Sequence, residues 1–286
     1  MEKPMTIQLE DAAQCVVCRQ AAGEESAADG VLSRCRGCGF TRTATRYAAQ
    51  AQPDLFDGAY YHDYFARAAQ WRFEAALRLR WLLGTAHPAS VLEAGSAGGY
   101  FLEAATHAGL AASGVEPSET CARYASEQLR VSVRQGYFES AAPAGAVEAV
   151  CAFHVLEHVD EPRMFLAVAR KALTTGGWLA LEVPNIASAA ATRAGASWAH
   201  LQPGCHRWHF SPRSLTRIVE DSGFLVRRCD TVSSRHYMRR RHRLSRPGIS
   251  TMVADRSAWG SARTTHPSLG DHVRLLAQLP EGPAQP

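Results

Sequence analysis

The 286-residue chain has no run of eighteen or more apolar residues, and its start, MEKPMTIQLEDAAQ, has neither the apolar stretch nor the cleavage pattern of a signal peptide. A cytoplasmic protein without membrane attachment is therefore expected. Eight cysteines are too few for a disulfide scaffold in a chain this long, and an unexported protein keeps its thiols reduced. Charge of one sign is also lacking: 31 Lys and Arg against 27 Asp and Glu leave a formal +4, which does not decide between a nucleic-acid partner and a small substrate. There are no internal repeats. Apolar residues make up 46%, enough to bury a real core.

Four of the cysteines form a set. Cys15, Cys18, Cys35 and Cys38 are two CxxC pairs with sixteen residues between them, and two such knuckles facing each other supply the four thiolates of a tetrahedral Zn²⁺. Four protein ligands leave no open position, so the expected metal is structural. Cys121 and Cys151 fall among apolar neighbours and read as buried small hydrophobes.

Downstream, Trp71, Ala75, Leu79 and Leu82 recur at three- and four-residue steps and predict an amphipathic helix ending before Pro88. Strand and helix patterns then alternate: SVLEAG, YFLEAATHAG, ASGVEP, SETCARYASEQL, VSVRQG, AVEAVCAFHV, PRMFLAVARKAL, GGWLALEVP. Interleaving of this kind builds a doubly wound α/β fold, a Rossmann-like and mostly parallel sheet covered on both faces. SPRSLTRIVEDSGFLVRRCD adds a helix capped by Ser211, with Pro212 at its first position and Gly223 as its stop, and one more strand. The expected divisions are a zinc-binding module over 1–50, an aromatic linker and helix over 51–88, a cofactor-binding domain over 89–233, and a basic, poorly regular tail over 234–286. That tail carries six Arg between Arg235 and Arg246 and a short apolar patch, HVRLLAQL.

The segment VLEAGSAGGYFLEAA concentrates the functional signal. Glu93 ends a buried strand, Gly95, Ser96, Ala97, Gly98 and Gly99 form a loop the backbone of a ligand can approach, and Tyr100 opens a helix whose N–H groups face it. A dinucleotide fingerprint would want glycine at Ala97, and it has no use for Glu93. S-adenosylmethionine has no pyrophosphate but carries an ammonium, a sulfonium and a ribose diol, so the acid is an asset. Glu116, followed by Pro117 at the end of the second strand, can accept both ribose hydroxyls.

These residues, with GVEPSETCARYA, the long segment from VCAFHVLEHVDEP to LALEVPN, and CHRWHFSPRSLTRIVEDSGF, resemble the class I S-adenosylmethionine-dependent methyltransferases over about residues 55–230. Within that class the chain is most similar to the ubiquinone-biosynthesis O-methyltransferases and the zinc-bearing nucleotide-sugar C-methyltransferases. The resemblance implies that Glu93, Gly95, Ser96 and Gly99 wrap the methionyl part, that Glu116 takes the ribose, and that Tyr137 and Phe138 bound the adenine. It implies a lid at Tyr60, Tyr61 and Tyr64. The family's final antiparallel strand is not found in this sequence, nor is the further domain of the sugar enzymes.

His154, Glu157 and His158 follow the fourth strand. If HVLEHV turns helically, the three share one face, and either histidine is then the expected base, with Glu157 orienting an imidazole. A positioned base is what an alcohol or carbon acid requires at pH 7. HxxEH is also an inverzincin protease signature, but here it lies downstream of a cofactor loop. The ubiquinone enzymes' acid–acid–His set leaves a divalent cation at His154, Glu157 and His158 as an alternative reading, weakened because His154 replaces the first acid and Mg²⁺ seeks oxygen. A second constellation follows the fifth strand: Trp198, His200, His206, Trp208, His209 and Phe210. There the resemblance points to His206 as another acid–base residue. The expected activity is methyl transfer to a small polar acceptor such as a sugar or natural-product hydroxyl, or to carbon. Ribosomal RNA as substrate, or an inactive nucleic-acid-binding module, are the alternatives; no stacking motif of the usual RNA modules supports them.

Overall fold

The computed structural model describes residues 14–21, 23–48, 63–233 and 270–281. The N-terminal part is a small antiparallel sheet of β1 (Glu24–Ala27), β2 (Leu32–Cys35) and β3 (Thr41–Thr43), followed by a single turn, α1 (Thr45–Ala48). Next comes α2 (Ala68–Leu83), which buries Ala75, Leu79, Trp81 and Leu82, nearly the face that the sequence spacing predicts.

The remaining elements alternate. They are β4 (Ser90–Ala94), α3 (Tyr100–His107), β5 (Ala111–Glu116), α4 (Glu119–Gln128), β6 (Ser132–Gln135), α5 (Phe138–Ala141), β7 (Val147–Phe153), α6 (Pro162–Ala172), β8 (Leu173–Pro184), α7 (Ala189–Ala194), β9 (Trp208–His209), α8 (Pro212–Glu220), β10 (Leu225–Val232) and β11 (His272–Gln278). The large sheet has the order β10-β11-β8-β7-β4-β5-β6. β4, β5, β6, β7 and β8 run parallel, whereas β11 is antiparallel to both β8 and β10. Strands buried on both faces explain the near-continuous apolar runs of β7 and β8. The local stop and start signals hold as well. Ser211 Oγ accepts from Ser214 N at 3.2 Å and Ser214 Oγ accepts from Ser211 N at 2.9 Å, a capping box with Pro212 at the first position of α8.

Two expectations change. The final antiparallel strand exists, and it is HVRLLAQ, the apolar patch of the supposed tail. Val273, Leu275, Leu276 and Ala277 are each 0% exposed. The strand escaped recognition because the sheet partners on either side of it, β8 and β10, lie far back in the sequence, and periodicity reports only local structure. Arg235–Arg246 lies outside the described residues.

The Cys module, expected as a separate unit, is joined to the large domain. β3 pairs with β9 through Thr41 with His209 and Arg42 with Trp208. Phe40 stacks on Trp208 at 6.1 Å between ring centroids and meets Phe210 in a tilted contact at 5.4 Å. Arg163 on α6 donates to the carbonyls of Val16 at 2.6 Å and Val17 at 2.7 Å, inside the first knuckle. No helix among the described residues is long and apolar enough to cross a membrane.

Candidate functional site

Sheet order reverses between β4 and β7, so their carboxyl ends open a crevice, the place where ligands bind in open α/β sheets. The loop after β4 turns there. Gly99 sits at φ +81° as the cap of α3, and a Cβ on it would fall 2.8 Å from Ala125 Cβ, so only glycine fits. Ala97 adopts φ +44°, the left-handed conformation for which the usual glycine is suited; the alanine accepts it at a cost of about 1–2 kcal/mol.

The two acids bracket this loop as the spacing anticipates. Glu116 is buried; its Oε2 accepts from Ala97 N at 2.7 Å and its Oε1 from Ser118 N at 2.8 Å, leaving further lone pairs on both oxygens. Burial raises its carboxyl above the ordinary carboxylate range, against the pull of those two N–H groups. Glu93 is more deeply enclosed. Its Oε2 and the neighbouring Ser96 Oγ have no partner among the described residues, and burial, opposed by Arg78, pushes its carboxyl well above the ordinary range. An unpartnered buried acid beside a glycine loop is what an incoming ammonium would complete, so these residues fit the methionyl end of S-adenosylmethionine.

Around the loop, Tyr64 stacks on Trp71 and accepts from Gly98 N at 3.4 Å, and Phe65 stacks on Tyr124. Tyr64 thus packs against the glycine loop; Tyr60 and Tyr61 lie outside the described residues. Pro117 and Tyr137 are exposed at the ends of β5 and β6, while Phe138 turns into the core against Phe165 at 4.8 Å. Of the expected adenine pair, Tyr137 alone faces outward.

The histidines come next to the loop through Val155: a Cβ on Gly95 would fall 2.6 Å from Val155 Cγ2. HVLEH does make one turn, with His158 N donating to Val155 O at 2.9 Å, but the two histidines part company. His154, itself at φ +59°, lies with Nδ1 3.2 Å from Glu157 Oε1 and Nε2 3.1 Å from Glu182 Oε1. Burial lowers its pKa, but the two carboxylates outweigh that and raise it to about 9. An imidazolium held by two acids has no lone pair to offer. His154 is thus a cationic clamp rather than the base expected on equal terms with His158, and the cation set of His154, Glu157 and His158 is not assembled. Despite burial, Glu157 is held down at about 2 by His154, His158 and His206.

His158 and His206 are arranged differently. His158 Nδ1 donates to Cys205 O at 3.1 Å, His206 Nδ1 donates to His200 O at 2.8 Å, and the two rings meet edge to face at 4.6 Å. A carbonyl on Nδ1 fixes the tautomer and leaves Nε2 as acceptor. Burial lowers His206 to about 4, so it is neutral at pH 7. The loops carrying them are pinned together, since Glu157 O accepts from both Arg207 N and Trp208 N.

Sequence reasoning missed Glu182, Arg78, Arg274 and His272. Glu182 lies beside Phe153 in the β7–β8 register and binds Arg78 at 2.6 Å, as well as Arg274 of β11. His272, at the start of β11, sets its ring 4.7 Å from that of His154. Their roles depend on strand pairing, which no motif announces.

In the N-terminal module, Cys15 Sγ and Cys38 Sγ are 3.7 Å apart, as are Cys18 Sγ and Cys35 Sγ, and all four sulfurs lie within 4.8 Å of one another. A tetrahedron of sulfurs about 2.3 Å from a metal has edges of about 3.8 Å, so the four residues fit zinc.

The comparisons with known proteins agree with the crevice. Residues 60–229 match the family model described as a methyltransferase domain. The chain belongs to the methyltransferase-domain family. Its fold is that of the class I S-adenosylmethionine-dependent methyltransferases. A structure from Thermotoga maritima, described as an S-adenosylmethionine-dependent methyltransferase and possible histamine N-methyltransferase, superposes with a TM-score of 0.55 at 18% identity, over 77% of this chain and 96% of that one. The complex of the Haloferax volcanii Trm112 methyltransferase activator with a methyltransferase contains a chain similar at TM-score 0.54 and 15% identity, over 82% and 97%. A methyltransferase from Listeria monocytogenes gives 0.51 at 14%, over 73% and 99%. No curated protein matches the sequence. This methyltransferase therefore shares its architecture with those enzymes, and its acceptor must be argued from its own residues.

Proposed function

We propose that this methyltransferase transfers the methyl group of S-adenosylmethionine to a small polar acceptor, a sugar or natural-product hydroxyl or an acidic carbon, and that His158, with His206 beside it, removes the acceptor's proton. The observation that carries this reading is the pair of imidazoles whose Nδ1–H groups are tied to carbonyls, leaving Nε2 of each as acceptor, on a turn whose Val155 packs against Gly95 of the glycine loop.

Glu93 would receive the ammonium, Glu116 the ribose diol, and Tyr64 would cover the loop. The cofactor supplies an electrophilic methyl group on a sulfonium. What remains for the protein is alignment and proton removal, and a placed base contributes roughly 10² to 10⁴-fold. The His154 clamp, fixed by Glu157 and Glu182, keeps the loop before His158 in its left-handed turn. We assign zinc to the four cysteines in a structural role, and the similarity to zinc-bearing sugar enzymes to this same reading.

The test is turnover against affinity. His158→Ala is expected to lower kcat about 10² to 10⁴-fold while the Kd for S-adenosylmethionine stays within about twofold. Unchanged kcat with any productive small acceptor would reject the assignment.

A further inference from the structure

Cys205 has no part in the reading above, yet it lies between the two histidines. One ring nitrogen of His158, one of His206 and Cys205 Sγ all lie within 4.8 Å of one another. The two Nδ1 atoms are already donating to the carbonyls of Cys205 and His200. Metal-binding histidines commonly tie one ring N–H to a carbonyl in this way and use the other nitrogen as ligand, so Nε2 of each ring is the atom left to bind an ion. Glu157 Oε2, buried and without a partner among the described residues, adds negative charge that acts on both histidines. Cys205 Sγ lies 3.5 Å from Gln202 Oε1, a weak bond for a metal to displace.

We infer that His158, Cys205 and His206 form a second metal site, distinct from the four-cysteine knuckles, for a divalent transition-metal ion of the zinc type. A soft thiolate with two imidazoles selects such an ion over Mg²⁺, which seeks oxygen. Three protein ligands leave a fourth position for a water or for the acceptor's oxygen, the arrangement of a reactive rather than a structural site. The neighbouring trio of His154, Glu182 and His272 does not compete, because Glu182 is already taken by Arg78, Arg274 and His154. Binding of the ion is independent of the proposed methyl transfer; its role there rests on that reading and refines it, since with the ion bound the Nε2 lone pairs of His158 and His206 are taken and the two histidines would act through the metal, by lowering the acceptor's pKa, rather than as free bases.

The experiment uses the full-length chain without cofactor or acceptor. After zinc fills the tighter site, one further equivalent of Co²⁺ is added. A thiolate-to-cobalt charge-transfer band with intense four-coordinate d–d absorption is expected. Weak six-coordinate absorption without the thiolate band would overturn the inference. Metal content should be about two zinc per chain in the wild type and about one in Cys205→Ala. The same content in both would overturn it too. Methyl transfer persisting without a second metal would sink the inference alone, whereas a bound second metal without methyl transfer would sink only the functional reading.

Discussion

Glu116→Gln probes the cofactor crevice with the least disturbance of shape. The wild-type carboxylate is buried and accepts one backbone N–H on each oxygen, from Ala97 and from Ser118. Glutamine can satisfy one of these; its NH₂ then meets the other N–H, donor against donor. Leaving a buried N–H unpaired costs about 1–3 kcal/mol of stability. The proposed ribose diol donates to the same two oxygens, so the variant also loses one hydrogen bond to a charged acceptor, about 1.5–3 kcal/mol. That corresponds to a Kd for S-adenosylmethionine about tenfold to 150-fold weaker. Titration calorimetry measures the affinity and thermal denaturation the stability. The discriminating comparison is a cofactor analogue lacking a ribose hydroxyl, which should lose affinity in the wild type and lose much less in the variant, a coupling a double-mutant cycle reports. If Glu116→Gln melts earlier but binds the cofactor as before, the acid braces the loop and nothing more, and the ribose assignment is refuted.

Three further outcomes follow from the same geometry. Burial raises the carboxyl of Glu93 well above the ordinary range and an arriving ammonium should lower it again; calorimetry in buffers of different ionisation enthalpy should therefore show net proton release on cofactor binding, and a heat independent of buffer would count against Glu93. His154, faced by Glu157, Glu182, Arg78, Arg274, His200 and His272, has its pKa raised to about 9, so its stabilisation is full below about 6.5 and is lost as pH rises through about 9; Glu157, lowered to about 2, stabilises above about 4.5 and ceases to as pH falls toward 2. Chemical denaturation should thus show the wild type losing more stability between pH 6 and pH 9.5 than His154→Gln does, and parallel losses would contradict the clamp. Ending the chain at residue 233 removes β11 from between β8 and β10 and exposes Val273's and Leu275's former contacts, so the shortened chain should be insoluble or unfolded by circular dichroism; a soluble product with the full-length melting temperature would show that the strand is dispensable.

What the sequence disclosed was local. Glu93 through Tyr100 and Glu116 could be placed because a strand, a tight glycine turn and a helix start lie within a few consecutive residues, and each constrains the next. The cysteine knuckles were legible for the same reason: two thiols per turn need only short spacing. The proposed base could not be read that way. His154 and His158 are equivalent in the sequence, and what separates them is Glu182, brought alongside by the register of β7 and β8, and the carbonyl of Cys205, forty-seven residues on. β11 was likewise invisible, since its apolar run gains meaning only from the strands on either side. Phe138 and Tyr137 are adjacent and both aromatic, so only the turn opening α5 could say which faces inward.

The four-cysteine module bears on the proposed catalysis because it holds the frame of His206. Thr43 Oγ1 donates to His206 O at 2.5 Å and lies 2.9 Å from His209 Nε2, Thr43 N donates to Arg207 O at 2.9 Å, and β3 pairs with β9 immediately after. The second cysteine pair begins at the end of β2 and turns straight into Phe40 and β3, so the proposed metal would fix the register of the strand that carries Thr43. A segment this small buries too little to fold without such a staple. Cys35→Ser should therefore release the zinc, lower the melting temperature and reduce kcat, yet leave cofactor affinity near the wild-type value, because the glycine loop is built on β4 and α3. Thr43→Val isolates the coupling: it leaves the cysteines intact but removes the hydroxyl, so that the buried His206 carbonyl loses its donor and His209 Nε2–H its acceptor, at a cost of about 1–3 kcal/mol, and kcat should fall severalfold with zinc content unchanged. If Cys35→Ser loses its zinc and turns over at the wild-type rate, the module is a passenger on the fold and His206 owes its position to the large domain alone.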